Sequence, residues 1–184
     1  MNRLGIEMLS VFGMPPAEYV NLVADLGCRY ITTGLIADRG IATCLEPVVG
    51  LSIADLATAV AAVEYVGGDD VSLLIDTMHV ARFGAVADDL RSLPPERIGY
   101  IQLSDTMLQP RMANYAEEAI FERLPPGEGE LPLAAMLAAL PDDRIIGLEI
   151  PMRSHAQAGI SAHDRLRPCV QNARALLART HDIH

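Results

Sequence analysis

The chain has 184 residues, 51% of them apolar and only 4% aromatic, with a formal net charge of −10 and no lysine. The length suggests one domain around an aliphatic core, and the acidic balance argues against a surface that tracks nucleic-acid phosphates. The missing lysine excludes a Schiff-base lysine, a pyridoxal-phosphate anchor and a P-loop lysine.

In chain order, "LGIEML" reads as a strand. "PPAEYVNLVADLG" follows as a helix, with Pro near its start and Gly27 as its stop. "YITTG" and "GIATCLEP" are the second and third strands. "SIADLATAVAAVEYVGG" is the clearest helix: Ser52 and Asp55 form a capping-box pattern, and Ile53, Leu56, Val60 and Val63 form one apolar stripe. "VSLLID" is a strand, "GAVADDLRSL" a helix and "IGYIQLSD" a strand. A long polar loop then runs through "LPPGEGE". "PLAAMLAAL" is a helix, "RIIGLEIP" a strand and "SAHDRLRPCVQNARALLART" a closing helix, where Pro168 implies a kink or a late start. This βαβα rhythm with near-continuous apolar strands is the signature of a parallel sheet covered by helices.

Glu7 falls where a signal peptide needs an apolar centre, and no apolar run approaches the ~20 residues of a membrane span. Cys28, Cys44 and Cys169 show neither zinc nor disulfide spacing and read as free thiols. The expectation is a soluble cytoplasmic protein without membrane or nucleic-acid partners.

Four successive strands end in a group able to bind a cation or handle a proton: Glu46, Asp76, Gln102 and Glu149. In parallel α/β folds the carboxyl ends of the strands form the active face, whether barrel or open sheet. Carboxylates gathered in one mouth repel each other, and a divalent cation such as Mg²⁺ or Mn²⁺ stabilises the arrangement. Singly, each has a plainer reading as a helix cap or a loop ion pair. His79 follows Asp76 by three residues, so the two share a site only if the strand ends at Asp76 and the chain turns. His155, His163, His181 and His184 read as surface residues. Arg123 lies in the longest loop, where the two glycines of "GEG" could cradle an anion; the plain alternative is a turn with a solvated Arg.

At "LEPV", "LLIDTMHVARFG", "GYIQLSD", "ERLPPGEGELP" and "GLEIP", in this order, the chain resembles the xylose isomerase-like sugar phosphate isomerase/epimerase family of TIM barrels. The resemblance implies a divalent metal, Mn²⁺, Mg²⁺ or Co²⁺, with Glu46, Asp76 and Glu149 as ligands and Gln102 in the remaining place. Ketose 3-epimerases of that family have His where Gln102 stands, so a weaker and harder site is implied. It also implies that His79 touches a hydroxyl or carbonyl oxygen of a sugar or polyol substrate and that Arg123 binds the substrate's oxygens. Glu46 and Glu149 would flank the carbon whose proton moves. The chemistry is coherent without the family: a cation stabilises the enediolate, one Glu removes the proton, and another returns it. Dehydration of a keto-inositol uses the same enediolate and is the alternative enzyme reading. Apurinic-site endonucleases share the superfamily but need further His ligands and a basic face.

A TIM barrel typically needs about 250 residues and eight strands. Six strands are legible here, and "LIADRG" leads directly into the third. Residues 1–184 are therefore expected to form a single, incomplete (β/α) barrel lacking an internal segment near 35–40. Its two open edges favour a homo-oligomer, and an inactive barrel serving as an interaction module is the non-enzymatic alternative.

Overall fold

The computed structural model describes residues 2–31, 43–67 and 71–181. Its strands are β1 (Leu4–Ile6), β2 (Tyr30–Ile31), β3 (Thr43–Leu45), β4 (Val71–Asp76), β5 (Ile98–Leu103) and β6 (Ile145–Leu148). All pair in parallel, in the order β2-β1-β6-β5-β4-β3. Among the described residues β2 and β3 do not pair, so the sheet curls without closing. The expected six-stranded, incomplete TIM-type barrel is observed. The "LIADRG" junction at 35–40 lies outside the described residues.

Alternation along the strands separates two environments. Leu73 and Ile75 of β4, Ile101 and Leu103 of β5, and Ile146 and Leu148 of β6 are fully buried. The intervening positions carry Ser72, Leu74, Asp76, Tyr100, Gln102 and Gly147. A bulge between Leu73 and Leu74 resets the β4–β5 register, after which Asp76 stands level with Gln102, and Gln102 with Gly147. Polar ends of neighbouring strands are thereby brought to one height and one face.

The helices are α1 (Pro16–Asp25), α2 (Leu56–Val66), α3 (Thr77–Arg82), α4 (Ala87–Arg91), α5 (Tyr115–Phe121), α6 (Leu133–Ala138), α7 (Arg153–Gln157) and α8 (Ala162–His181). Three expectations need correction. The N-cap of α2 is Asp55, whose carboxylate accepts from Thr58 N at 2.7 Å; Ser52 lies outside the helix. The "polar loop" before "LPPGEGE" contains α5, a helix too short for its period to stand out. Pro168 does not delay α8, which starts at Ala162 with Ser161 Oγ accepting from Asp164 N at 3.1 Å. The carbonyl of Asp164 loses only the one bond that a proline cannot donate. Helix α8 packs against α6. No described helix is long and apolar enough to cross a membrane.

Candidate active site

The chain turns immediately after Asp76. The Asp76 carboxylate does this itself: its Oδ1 accepts from Met78 N at 2.7 Å and His79 N at 3.0 Å, capping α3. The cap and the site residue are the same side chain. His79 consequently sits in the first turn of α3, with Nε2 3.4 Å from Glu46 Oε1 and Nδ1 hydrogen-bonded to the Tyr115 hydroxyl.

Arg123 is 4% exposed, so it is not a solvated turn residue. The backbone on either side holds it there. Leu124 exchanges both hydrogen bonds with Asp105 at 2.9 Å, while Arg123 N donates to Pro151 O at 2.9 Å. The guanidinium reaches Asp76 Oδ2 at 2.5 Å and Glu149 Oε2 at 2.8 Å, and Nε donates to Ala119 O at 2.7 Å. It thus bridges two of the expected metal ligands.

The anion cradle of "GEG" is already filled, by the chain's own Asp105. That carboxylate accepts from the backbone N–H groups of Thr106, Gly127, Gly129 and Leu131 at 2.8 to 3.2 Å. A Cβ on Gly129 would lie 2.3 Å from Asp105 Oδ1 and 2.4 Å from Thr106 O, which is why the position is glycine.

All six expected site residues surround one mouth. Beside it lies a cavity of about 560 Å³, whose lining includes Glu46, His79, Tyr115, Arg123 and Glu149. Gln102, level with Asp76, keeps its Oε1 buried without a hydrogen-bond partner, and so does Glu46 Oε1. Glu7, 5% exposed at the end of β1, is a further carboxylate; Tyr100 donates to its Oε1 at 2.5 Å. Glu7 was legible: "LGIE" repeats the strand-end pattern of "SLLID" and "IIGLE". Tyr100 and Tyr115 carry no comparable mark, and Asp105, which ends "IGYIQLSD", serves the 127–131 backbone instead of the mouth. A Cβ on Gly147 would stand 1.9 Å from Glu7 Oε1 and 2.2 Å from the Tyr100 hydroxyl. Gly147→Ala should therefore break that pair and destabilise the fold by about 2 kcal/mol. Urea unfolding measures it, and a wild-type midpoint would show that the lumen yields freely.

The charges are unevenly held. Burial, then Asp76 and Glu149, push Glu46 up to about 8. Burial pushes Glu149 up to about 7 despite Arg123, with Asp76 and Glu7 adding to the rise. Burial would raise Asp76 as well, but Arg123, His79 and the hydrogen bonds hold it below the usual range. His79 is lowered, chiefly by burial and further by Arg123, against the pull of Asp76. A raised carboxyl contributes stability below its unfolded value, 4.5 for Glu, and loses it as pH rises through the folded value. Without metal, the contribution of Glu149 and Glu46 should fall as pH climbs through about 7 and about 8 respectively. A divalent cation needs both ionised and should restore it. The gap between melting temperatures in Mn²⁺ and in chelator should widen between about pH 5 and pH 9; a constant gap would contradict this.

The donor set fits a divalent cation. Glu46, Asp76 and Glu149 bring three carboxylates against one guanidinium, and the buried Oε1 atoms of Glu46 and Gln102 make no hydrogen bond. Carboxylate and amide oxygens are hard ligands suited to Mg²⁺ or Mn²⁺. Among the described residues, Glu46, Asp76 and His79 also offer ligand atoms within 4.8 Å of one another.

The sequence profile of the xylose isomerase-like TIM barrels matches residues 3–173. The chain belongs to this family. Among solved structures it is similar to the IolI protein with a bound zinc atom, at TM-score 0.66 and 16% identity, covering 96% of this chain and 77% of that one. It is also similar to a xylose isomerase domain protein from Alicyclobacillus acidocaldarius, at TM-score 0.58 and 22% identity, covering 97% and 65%. L-ribulose 3-epimerase is similar at TM-score 0.54 and 18% identity, covering 76% of this chain and 48% of that one. These likenesses show the fold, and the chain spans less than two thirds of the latter two proteins. No curated protein sequence matches it significantly.

Proposed function

We propose that this protein is a divalent-metal-dependent isomerase or epimerase of a sugar or polyol, acting by proton transfer next to a carbonyl. The observation that carries this reading is the convergence of Glu46, Asp76, Gln102 and Glu149, from four neighbouring strand ends, on a mouth holding two buried oxygens without a hydrogen bond. The family's fold supports it, and so do structural neighbours that include an epimerase.

Glu46, Asp76, Gln102 and Glu149 would hold the cation, which when bound draws electron density from the substrate's carbonyl and acidifies the neighbouring C–H. Glu46 follows β3 and Glu149 follows β6, with β4 and β5 between them. The two carboxylates therefore approach a bound carbon from two walls. One takes the proton. Return by the other to the opposite face of the same carbon gives epimerisation, and return to the adjacent carbon gives isomerisation. His79 presents Nε2 to a substrate oxygen beside Glu46, and Arg123 fixes the Asp76 and Glu149 carboxylates and adds positive charge at the mouth.

The test is incubation with Mn²⁺ in D₂O and a panel of ketoses, with a keto-inositol alongside. Loss of the C–H signal next to a ketose carbonyl supports the reading, and Glu149→Gln should abolish it. Loss of water from the keto-inositol would assign the dehydratase chemistry instead. A folded, cation-binding protein that exchanges no ketose proton would overturn the proposal.

A further inference from the structure

We propose that Tyr115 is a positioning residue that locks the His79 imidazole in the tautomer carrying its proton on Nε2. His79 then offers the mouth an N–H donor and no lone pair. The inference deepens the reading of the mouth as a cation-assisted proton-transfer site and rests on it for the role of the donor.

Two helices make the lock. Residues three apart on a helix share a face. His79 and Arg82 on α3 meet Tyr115 and Glu118 on α5, pair against pair. Glu118 is fully buried and accepts from Arg82 Nη2 at 3.3 Å, Thr106 Oγ1 at 2.7 Å and Arg111 N at 3.2 Å. Arg82 also donates to the carbonyls of Met107 and Leu108 at 3.0 and 2.8 Å. Asn114 caps α5 by accepting from Ala116 N at 3.0 Å. The rotation of α5 about its axis is thus set one turn beyond Tyr115. Its ring stands edge-on to the imidazole, centroids 5.6 Å apart and planes at 71°, which brings the hydroxyl to Nδ1.

A tyrosine hydroxyl has one proton to give. Among the described residues, His79 Nδ1 is the only hydrogen-bond partner of the Tyr115 hydroxyl. The opposite tautomer would turn a bare Nε2 toward Glu46 Oε1 and leave that buried oxygen without a donor. When Tyr115 donates, Nδ1 accepts, and the proton of a neutral imidazole must sit on Nε2. That nitrogen faces Glu46 Oε1, a buried acceptor without a hydrogen bond, at 3.4 Å. A protonated Nε2 can donate to a substrate oxygen beside Glu46 but cannot ligate a cation. The lock therefore removes His79 from the Glu46–Asp76–His79 cluster as a ligand and leaves the cation to the carboxylates and Gln102.

The test is a two-bond ¹H–¹⁵N correlation spectrum of metal-free protein labelled with ¹⁵N-histidine, with His79 assigned by its loss in His79→Gln. The wild type should show His79 as a single form with a protonated Nε2 and a bare Nδ1. Tyr115→Phe should lose that single pattern and give a mixture. An Nδ1–H form in the wild type would overturn the proposal whether or not the variant folds, and so would an unchanged pattern in folded Tyr115→Phe. Mn²⁺ affinity should change by less than about threefold in His79→Gln; loss of binding there would also overturn it. The spectrum needs neither substrate nor turnover. An Nε2–H form in a protein that exchanges no ketose proton would uphold the lock and overturn the proposed activity alone.

Discussion

Asp76→Asn should lower stability by about 3 kcal/mol and weaken divalent-cation binding by on the order of a hundredfold or more. Asp76 is 1% exposed and uses both oxygens, Oδ1 to cap α3 and Oδ2 to pair with Arg123 at 2.5 Å. Asparagine has one acceptor. If its oxygen keeps the cap, its amide confronts the guanidinium, donor against donor. If it turns to Arg123, the cap is lost. Either way Glu149 is the only carboxylate still paired with Arg123, which is 4% exposed, and an under-compensated buried charge is costly. Urea unfolding and calorimetric titration with Mn²⁺ measure the two effects. Adding Arg123→Met should recover part of the stability, because it removes the stranded charge. Unchanged Mn²⁺ binding in Asp76→Asn would remove this residue from the ligand set.

Asp105→Ala should cost about 4 kcal/mol, although Asp105 touches neither the expected ligands nor the cavity. Its carboxylate collects four backbone N–H groups and is 1% exposed. Alanine leaves those donors without an acceptor, and Thr106 N and Leu131 N are buried bonds that water cannot easily replace. The damage should travel. Asp105 and Leu124 are paired through their backbones, and Leu124 follows Arg123. A loosened 125–131 loop frees the strap that carries Arg123 into the mouth, so Mn²⁺ affinity should change along with stability. A variant that loses stability but titrates Mn²⁺ like the wild type would show that the loop and the mouth are independent.

These two residues also mark where sequence reasoning succeeds and where it stops. Asp76 announces itself because an apolar run ends in a charge, and such a charge is buried only with a partner. Glu46, Gln102 and Glu149 repeat the pattern, and a parallel sheet in register then brings them together. Arg123 carries no such mark. Its place depends on contacts with Asp105 and Pro151, distant in sequence, that form only once β5 and β6 are in place. Tyr115 was hidden differently: α5 has seven residues, too few for a hydrophobic period to stand out from a polar stretch. Glu7 is legible in the same way as Asp76, because "LGIE" ends an apolar run in a charge. Its burial follows from β1 sitting between β2 and β6 rather than at an edge.

That placement of β1 has a consequence for how such a chain can grow. Among the described residues, the first and last strands are neighbours inside the sheet, while its two edges, β2 and β3, follow one another in strand order. Trimming into either terminal strand would cut a β1–β6 seam flanked on both sides. Strands added beside β2 and β3 would extend the two edges without breaking a pairing between described strands. In evolution or in design, these two edges are where the described sheet could gain a pair of βα units and keep every ligand-bearing strand in register.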